Sequence, residues 1–164
     1  WLGGGFALLL LASVQVEKAE PARIMAVIAQ VAYLGPRLFL PASILTLLSG
    51  LSAVYLGGFG WHAWIVFGFG GIAVTTLLGA LKLGPMSDRV VALAKHKGPH
   101  AALSDAMTLI RLARFDYVMQ FSIVFLMVAK PDWQDTTGLA IPALAVLLAA
   151  FMTVRPSARL VTNA

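Results

Sequence analysis

Residues Thr108–Pro131 read TLIRLARFDYVMQFSIVFLMVAKP, and this stretch decides the fold. It opens on two arginines, Arg111 and Arg114, and closes on Lys130 and Pro131. Between them, the fifteen residues Phe115–Ala129 hold only two strongly polar side chains, Asp116 and Gln120. An apolar run between basic ends has the make-up of a membrane-spanning helix. Asp116 and Gln120 stand four apart and so share one face of that helix. A carboxyl group inside a bilayer is costly unless something partners it.

The rest of the chain agrees with that reading. Its 164 residues are 60% hydrophobic and 12% charged, with a mean hydropathy of +0.88. Soluble domains carry roughly a quarter charged residues, so the composition is that of an integral membrane protein. The net charge of +5 does not point to nucleic acid, because the basic residues sit at the ends of apolar segments, where bilayer orientation accounts for them. There is no cysteine, which excludes disulfides, thiolate metal sites and thiol catalysis. The opening WLGGGFALLLLASVQV has no charged n-region and no cleavage motif. It reads as the later part of a membrane helix, and the sequence as N-terminally incomplete.

The expected fold is all-α: one integral membrane domain over residues 1–164, with about five spans and the first of them truncated. The spans are placed at 1–16, 38–56, 63–83, 108–131 and 139–154. In the linker before the second span, Ile24, Val27, Ile28, Val31 and Leu34 recur at helical spacing, so this piece is expected along the membrane surface. Gly35-Pro36 is expected to interrupt it. Two small-residue stripes predict close helix packing: Ala42, Thr46, Ser49, Gly50 and Ala53 on the second span, and Gly68, Gly71, Thr75 and Gly79 on the third. Trp61, His62 and Trp64 suit a membrane interface. Residues 86–103 form a polar connection broken at Gly98-Pro99, after which Ser104 or Asp105 could cap the next helix. Leu-Gly-Pro occurs at 34–36 and again at 83–85, both at expected helix ends. Threaded in this way, eleven of the twelve Lys and Arg residues fall on one side. That side should be cytoplasmic, with the C-terminus on it.

The threading brings Arg37, Lys82, Arg111, Arg114 and Asp116 to one level. Asp116 is expected to pair with Arg37, and with Tyr117 and Gln120 they make a candidate intramembrane polar site. That site is either a ligand or proton site or a structural ion pair, the other cations holding anionic lipid headgroups. His62 could be a haem or copper ligand or an ordinary interfacial histidine. His96 and His100 stand four apart, but Gly98-Pro99 breaks the helix that would align them on a metal. Met107, Met119 and Met127 form no close pair and read as gap-fillers between helices rather than copper ligands. Gly68-Phe-Gly-Gly71 follows no strand and is no nucleotide loop. No nucleophile–base arrangement and no paired catalytic carboxylates are apparent, so no catalytic residue is assigned.

Five motifs together carry a resemblance: Trp1-Leu-Gly-Gly, Leu34-Gly-Pro-Arg-Leu-Phe-Leu-Pro41, Leu83-Gly-Pro85, Phe115-Asp-Tyr117 and Met127-Val-Ala-Lys-Pro131. Over nearly its whole length the chain resembles a bacterial family of predicted integral membrane proteins that carries a domain-of-unknown-function label. That family is distantly similar to CopD-type copper resistance proteins and to the HemJ-type protoporphyrinogen oxidase. In those groups a histidine on the first helix, shortly before a Trp-x-Gly-Gly-like run, is implicated in metal or haem binding. Here the sequence starts at the tryptophan, so the resemblance implies haem or copper without giving a ligand at any numbered position.

The expectation is therefore a multi-pass bacterial inner-membrane protein with a small-ligand-binding or structural role. Its partners are the bilayer and anionic headgroups, a homo-oligomer being compatible with the packing stripes. The alternatives are a haem-linked membrane oxidoreductase and a copper or small-solute permease. A permease needs a polar path. Only Asp116, Gln120 and Ser122 are polar within the fourth span, and no other span offers a charge at mid-depth.

Overall fold

The computed structural model describes residues 2–17 and 21–154. Trp1, Lys18, Arg155 and Arg159, used above for the resemblance and the charge balance, lie outside the described residues. The described residues are mostly helical and include no strand. Helix α1 is Leu2–Glu17, α2 is Pro21–Leu34 and α3 is Leu40–Leu56. Helix α4 is Ala63–Leu78, α5 is Gly84–Lys97, α6 is Leu103–Ala129 and α7 is Thr136–Val154.

Neither Gly35-Pro36 nor Gly84-Pro85 ends a helix. α2 runs into α3 through a single widened π-turn at Gly35–Phe39, and α4 runs into α5 through another at Gly79–Leu83. The result is two long rods, Pro21–Leu56 and Ala63–Lys97. The cause is proline at 41 and 85. A proline ring collides with the carbonyl four residues back and donates no N–H, so the turn before it must open. In both rods the last N–H before the proline bonds five residues back, from Leu40 to Gly35 and from Gly84 to Gly79. Two residues after each proline a serine closes the turn: Ser43 donates to Phe39 O at 2.8 Å, and Ser87 to Leu83 O at 2.6 Å. The equivalent positions are thus Leu40-Pro41-Ala42-Ser43 and Gly84-Pro85-Met86-Ser87, not the two Leu-Gly-Pro triplets.

Four helices are long and apolar enough to cross a membrane: Pro21–Leu56, Ala63–Lys97, Leu103–Ala129 and Thr136–Val154. α1 adds a shorter apolar helix of 16 residues. The two rods form an antiparallel hairpin about the turn at 57–62, with α2 against α5 and α3 against α4. At 1.5 Å per residue each rod is ~50 Å long, well beyond the ~30 Å hydrocarbon layer. α2 and α5 form the basic-end parts of the two rods. There Ile24, Met25 and Ile28 meet Ala12, Val90, Ala106, Leu109 and Ile110 in the main core. Ile24 and Ile28 of the α2 stripe are thus buried among helices, which replaces the expected position along the membrane surface.

The two small-residue stripes part ways. On α4, Gly68 and Thr75 are buried and Gly71 packs on α6. A Cβ on Gly71 would come within 2.6 Å of Ile123 Cγ1, so only glycine allows this approach. On α3, Gly50 lies against Phe69 of α4, but Thr46, Ser49 and Ala53 are exposed, contrary to expectation. Facing outward, the two hydroxyls are satisfied by their own helix backbone, Thr46 by Ala42 O at 2.8 Å and Ser49 by Thr46 O at 3.2 Å.

At the connection from α5 to α6, Gly98 ends α5 with φ of +89°. Ala102 occupies the N-cap of α6 with no side-chain cap, so neither Ser104 nor Asp105 plays that part. Asp105 instead pairs with Arg89 at 3.4 Å. The opposite end of the bundle is aromatic. Trp133 Nε1 donates to Trp61 O at 3.2 Å, and Lys130 Nζ lies 5.6 Å from the Trp64 ring centre.

Candidate functional site

Asp116 sits thirteen residues before the end of α6, ~20 Å along the helix from the aromatic end. It is 7% exposed, and Gln120, one turn on, is 6% exposed. Gln120 Nε2 donates to Asp116 Oδ2 at 2.6 Å. The four-residue spacing alone makes this bond available. The other carboxylate oxygen, Oδ1, is buried with no hydrogen-bond partner, and so is Thr76 Oγ1 on α4. Buried polar atoms are nearly always satisfied, so each such exception calls for an explanation.

The explanation is spatial. Asp116, Tyr117 and Gln120 line a partly open cavity of 410 Å³ between α1, the hairpin and α6. Both π-turns contribute to its wall through Gly35, Pro36, Gly79 and Ala80. Widened turns push backbone aside and leave room that two straight helices would fill. Leu8, Leu9, Val27, Ile28 and Val31 make most of the surface apolar. Pro36, Leu40 and Ala80 line it while also exposed on the outer face of the bundle. Asp88, an exposed residue of α5, lines it toward the basic end. α1 is held on this side by aromatic contacts, Phe6 standing edge-on to Tyr117 at 6.0 Å and to Phe121 at 5.4 Å. Gly5 abuts the Tyr117 hydroxyl. Arg114 donates to Ser13 Oγ at 3.1 Å.

Three of the four residues singled out from the sequence, Asp116, Tyr117 and Gln120, thus share the cavity. Arg37 does not. Its guanidinium donates to Tyr33 O at 3.4 Å and lies 4.2 Å from the Tyr33 ring centre, on an exposed face. The expected Arg37–Asp116 pair is replaced by Asp116–Gln120, because Arg37 projects from the outer side of its π-turn. Accordingly, Arg37→Gln and Asp116→Asn should change stability additively, to within about 0.5 kcal/mol. Chemical unfolding of both single variants and the double measures this, and a coupling above about 1 kcal/mol would restore the pair.

Thr76 and Asp88 were missed in the sequence. Thr76 was hidden because it neighbours the stripe residue Thr75, and Asp88 because it lies in the polar connection after Pro85. The other candidate ligands are scattered. His62 Nδ1 is 3.5 Å from Asp132 Oδ1 at the aromatic end, and Gly98 separates His96 from His100. Met127 Cε fills the space over Gly68. Among the described residues, no three His, Cys, Asp or Glu side chains gather as a metal-binding group. No family model, curated protein or solved structure matches the chain.

Proposed function

We propose that this is a membrane-embedded binding protein whose ligand is a small, largely apolar molecule held between the hairpin, α1 and α6. One observation carries the reading: Asp116, whose buried carboxylate has one oxygen without a partner, lines a 410 Å³ cavity at membrane depth. A volume of this size with mostly apolar walls and a few convergent polar groups is the usual form of a small-molecule site. The burial of Asp116 costs stability, and a ligand that satisfies Oδ1 offsets that cost.

We place the protein in a bacterial inner membrane with the basic end cytoplasmic, on the strength of the charge asymmetry. The resemblance to CopD-type and HemJ-type proteins supports two other readings, a haem-linked oxidoreductase and a copper or solute permease. A histidine or methionine donor for them would have to come from outside the cavity lining described here, which contains neither.

Native mass spectrometry of the gently purified full-length protein tests the ligand reading. Ala113 lines the cavity one turn before Tyr117, so Ala113→Phe should narrow it and obstruct a ligand. The wild type should carry a bound small molecule that Ala113→Phe lacks. Equal small-molecule content in the two proteins would rule the cavity out as the site. An intense Soret band or stoichiometric copper in the wild type would favour the cofactor readings.

A further inference from the structure

The polar wall of the cavity has a consistent character. It contributes two carboxylates, Asp116 inside and Asp88 toward the basic end, and among the described lining residues no Lys, Arg or His. Its buried hydroxyls have largely spent their hydrogens. Ser43 donates to Phe39 O, Ser87 to Leu83 O, and Thr75 to Ile72 O at 3.1 Å. What these three turn toward the cavity is lone pairs. The backbone adds to this. After Leu40→Gly35 and Gly84→Gly79, the next donors in the widened pattern are residues 41 and 85. Both are proline, so the carbonyls of Pro36 and Ala80, two lining residues, receive no N–H from those positions. The donors that remain, the Thr76 and Tyr117 hydroxyls and the second Gln120 N–H, are neutral. The wall is therefore rich in acceptors, negative in charge and otherwise apolar.

We propose that the cavity takes a cationic amphiphile: an ammonium group on a compact apolar body, its N–H donated to Asp116 Oδ1 and its body against Leu8, Leu9 and Val31. This rests on the ligand-binding reading above. A charge-assisted bond to a carboxylate in low dielectric is among the stronger polar contacts available. A bare metal ion would leave the apolar walls unfilled. The ligand enters sideways from the bilayer past Pro36, Leu40 and Ala80, where the cavity meets the outer face. The ammonium can belong to a free lipophilic amine or to an aminolipid headgroup.

The test is calorimetric titration of the full-length protein in phosphatidylcholine nanodiscs, with empty nanodiscs subtracted. The probes are 1-aminoadamantane, 1-adamantanol and adamantane-1-carboxylate, which share one apolar body. The amine should saturate at one per protein, the alcohol should bind at least about tenfold more weakly, and the carboxylate should not bind. Asp116→Asn should bring the amine down to the level of the alcohol and leave the alcohol within about twofold. Replacing part of the lipid by phosphatidylethanolamine separates the sources: competition with the amine assigns an aminolipid, and its absence a free amine. If wild type binds amine and alcohol equally, the ammonium assignment fails while the ligand reading stands. Displacement of the amine by sodium chloride but not by choline chloride would assign the site to a metal cation and overturn the proposal. If none of the three probes saturates, the ligand-binding reading itself falls.

Discussion

Replacing Gln120 by leucine should destabilise the bundle by about 2–3 kcal/mol, more than its loss of a single neutral hydrogen bond suggests. The substitution preserves side-chain size and adds apolar surface, so packing is not what is lost. What is lost is, among the described residues, the only protein donor to Asp116, the Nε2 bond of 2.6 Å. Both carboxylate oxygens are then buried without a protein partner, since Oδ1 already has none. The penalty belongs to the abandoned carboxyl group rather than to the glutamine. Removing that group as well should therefore recover most of the stability. The double variant Asp116→Leu with Gln120→Leu is expected within about 1 kcal/mol of wild type, as apolar replacement of both partners is often nearly neutral. Unfolding by increasing dodecyl sulfate in mixed micelles measures all three variants. A double variant as unstable as the two singles combined would show that the two side chains do not interact.

The second large effect is at Gly71. Leucine there should cost about 2–3 kcal/mol, because α4 and α6 meet at this point with no space for a side chain. A Cβ alone would sit 2.6 Å from Ile123 Cγ1 and 2.8 Å from Cδ1, and Ile123 is 7% exposed, with little room to turn aside. The backbones must then separate, and the contact surface of α4 on α6 is lost with them. Shortening Ile123 to alanine in the same protein should restore at least half of the loss, since the clash is between these two residues. The same unfolding assay decides it. If Ile123→Ala makes Gly71→Leu worse, glycine at 71 serves some purpose other than close approach. By contrast, Gly70→Ala should change stability by less than about 1 kcal/mol, because nothing lies within 4 Å of a Cβ at that position.

The apolar spans were legible because the membrane forces a simple code: long apolar runs, charges at their ends, aromatic residues near one boundary. The pairing of Asp116 with a residue on its own face was half legible. The spacing to Gln120 was plain, but the sequence also offered several cations at that depth. Only side-chain direction excludes Arg37, and a one-dimensional threading carries no direction. The continuity of the rods was misread for a definite reason. Gly-Pro in water is a strong stop signal, whereas in an apolar setting a helix gains by continuing, since broken backbone hydrogen bonds cost several kcal/mol each there. The chain keeps its ladder by widening one turn ahead of Pro41 and one ahead of Pro85. The cavity arises from those two turns lying at the same depth in antiparallel rods. It could not be read from either turn alone. The α3 stripe shows the converse: small polar residues at helical spacing also arise where hydroxyls bond their own backbone and face outward.

The central claim is that Asp116 Oδ1 awaits a ligand inside the membrane. The most direct test is an experimental density map of the full-length protein in nanodiscs, purified from its native membrane without added ligand. The account predicts non-protein density larger than a single water in the cavity between the two π-turns and α6, within hydrogen-bonding distance of Asp116 Oδ1. A map in which side chains fill that space and a protein donor reaches Oδ1 would contradict it.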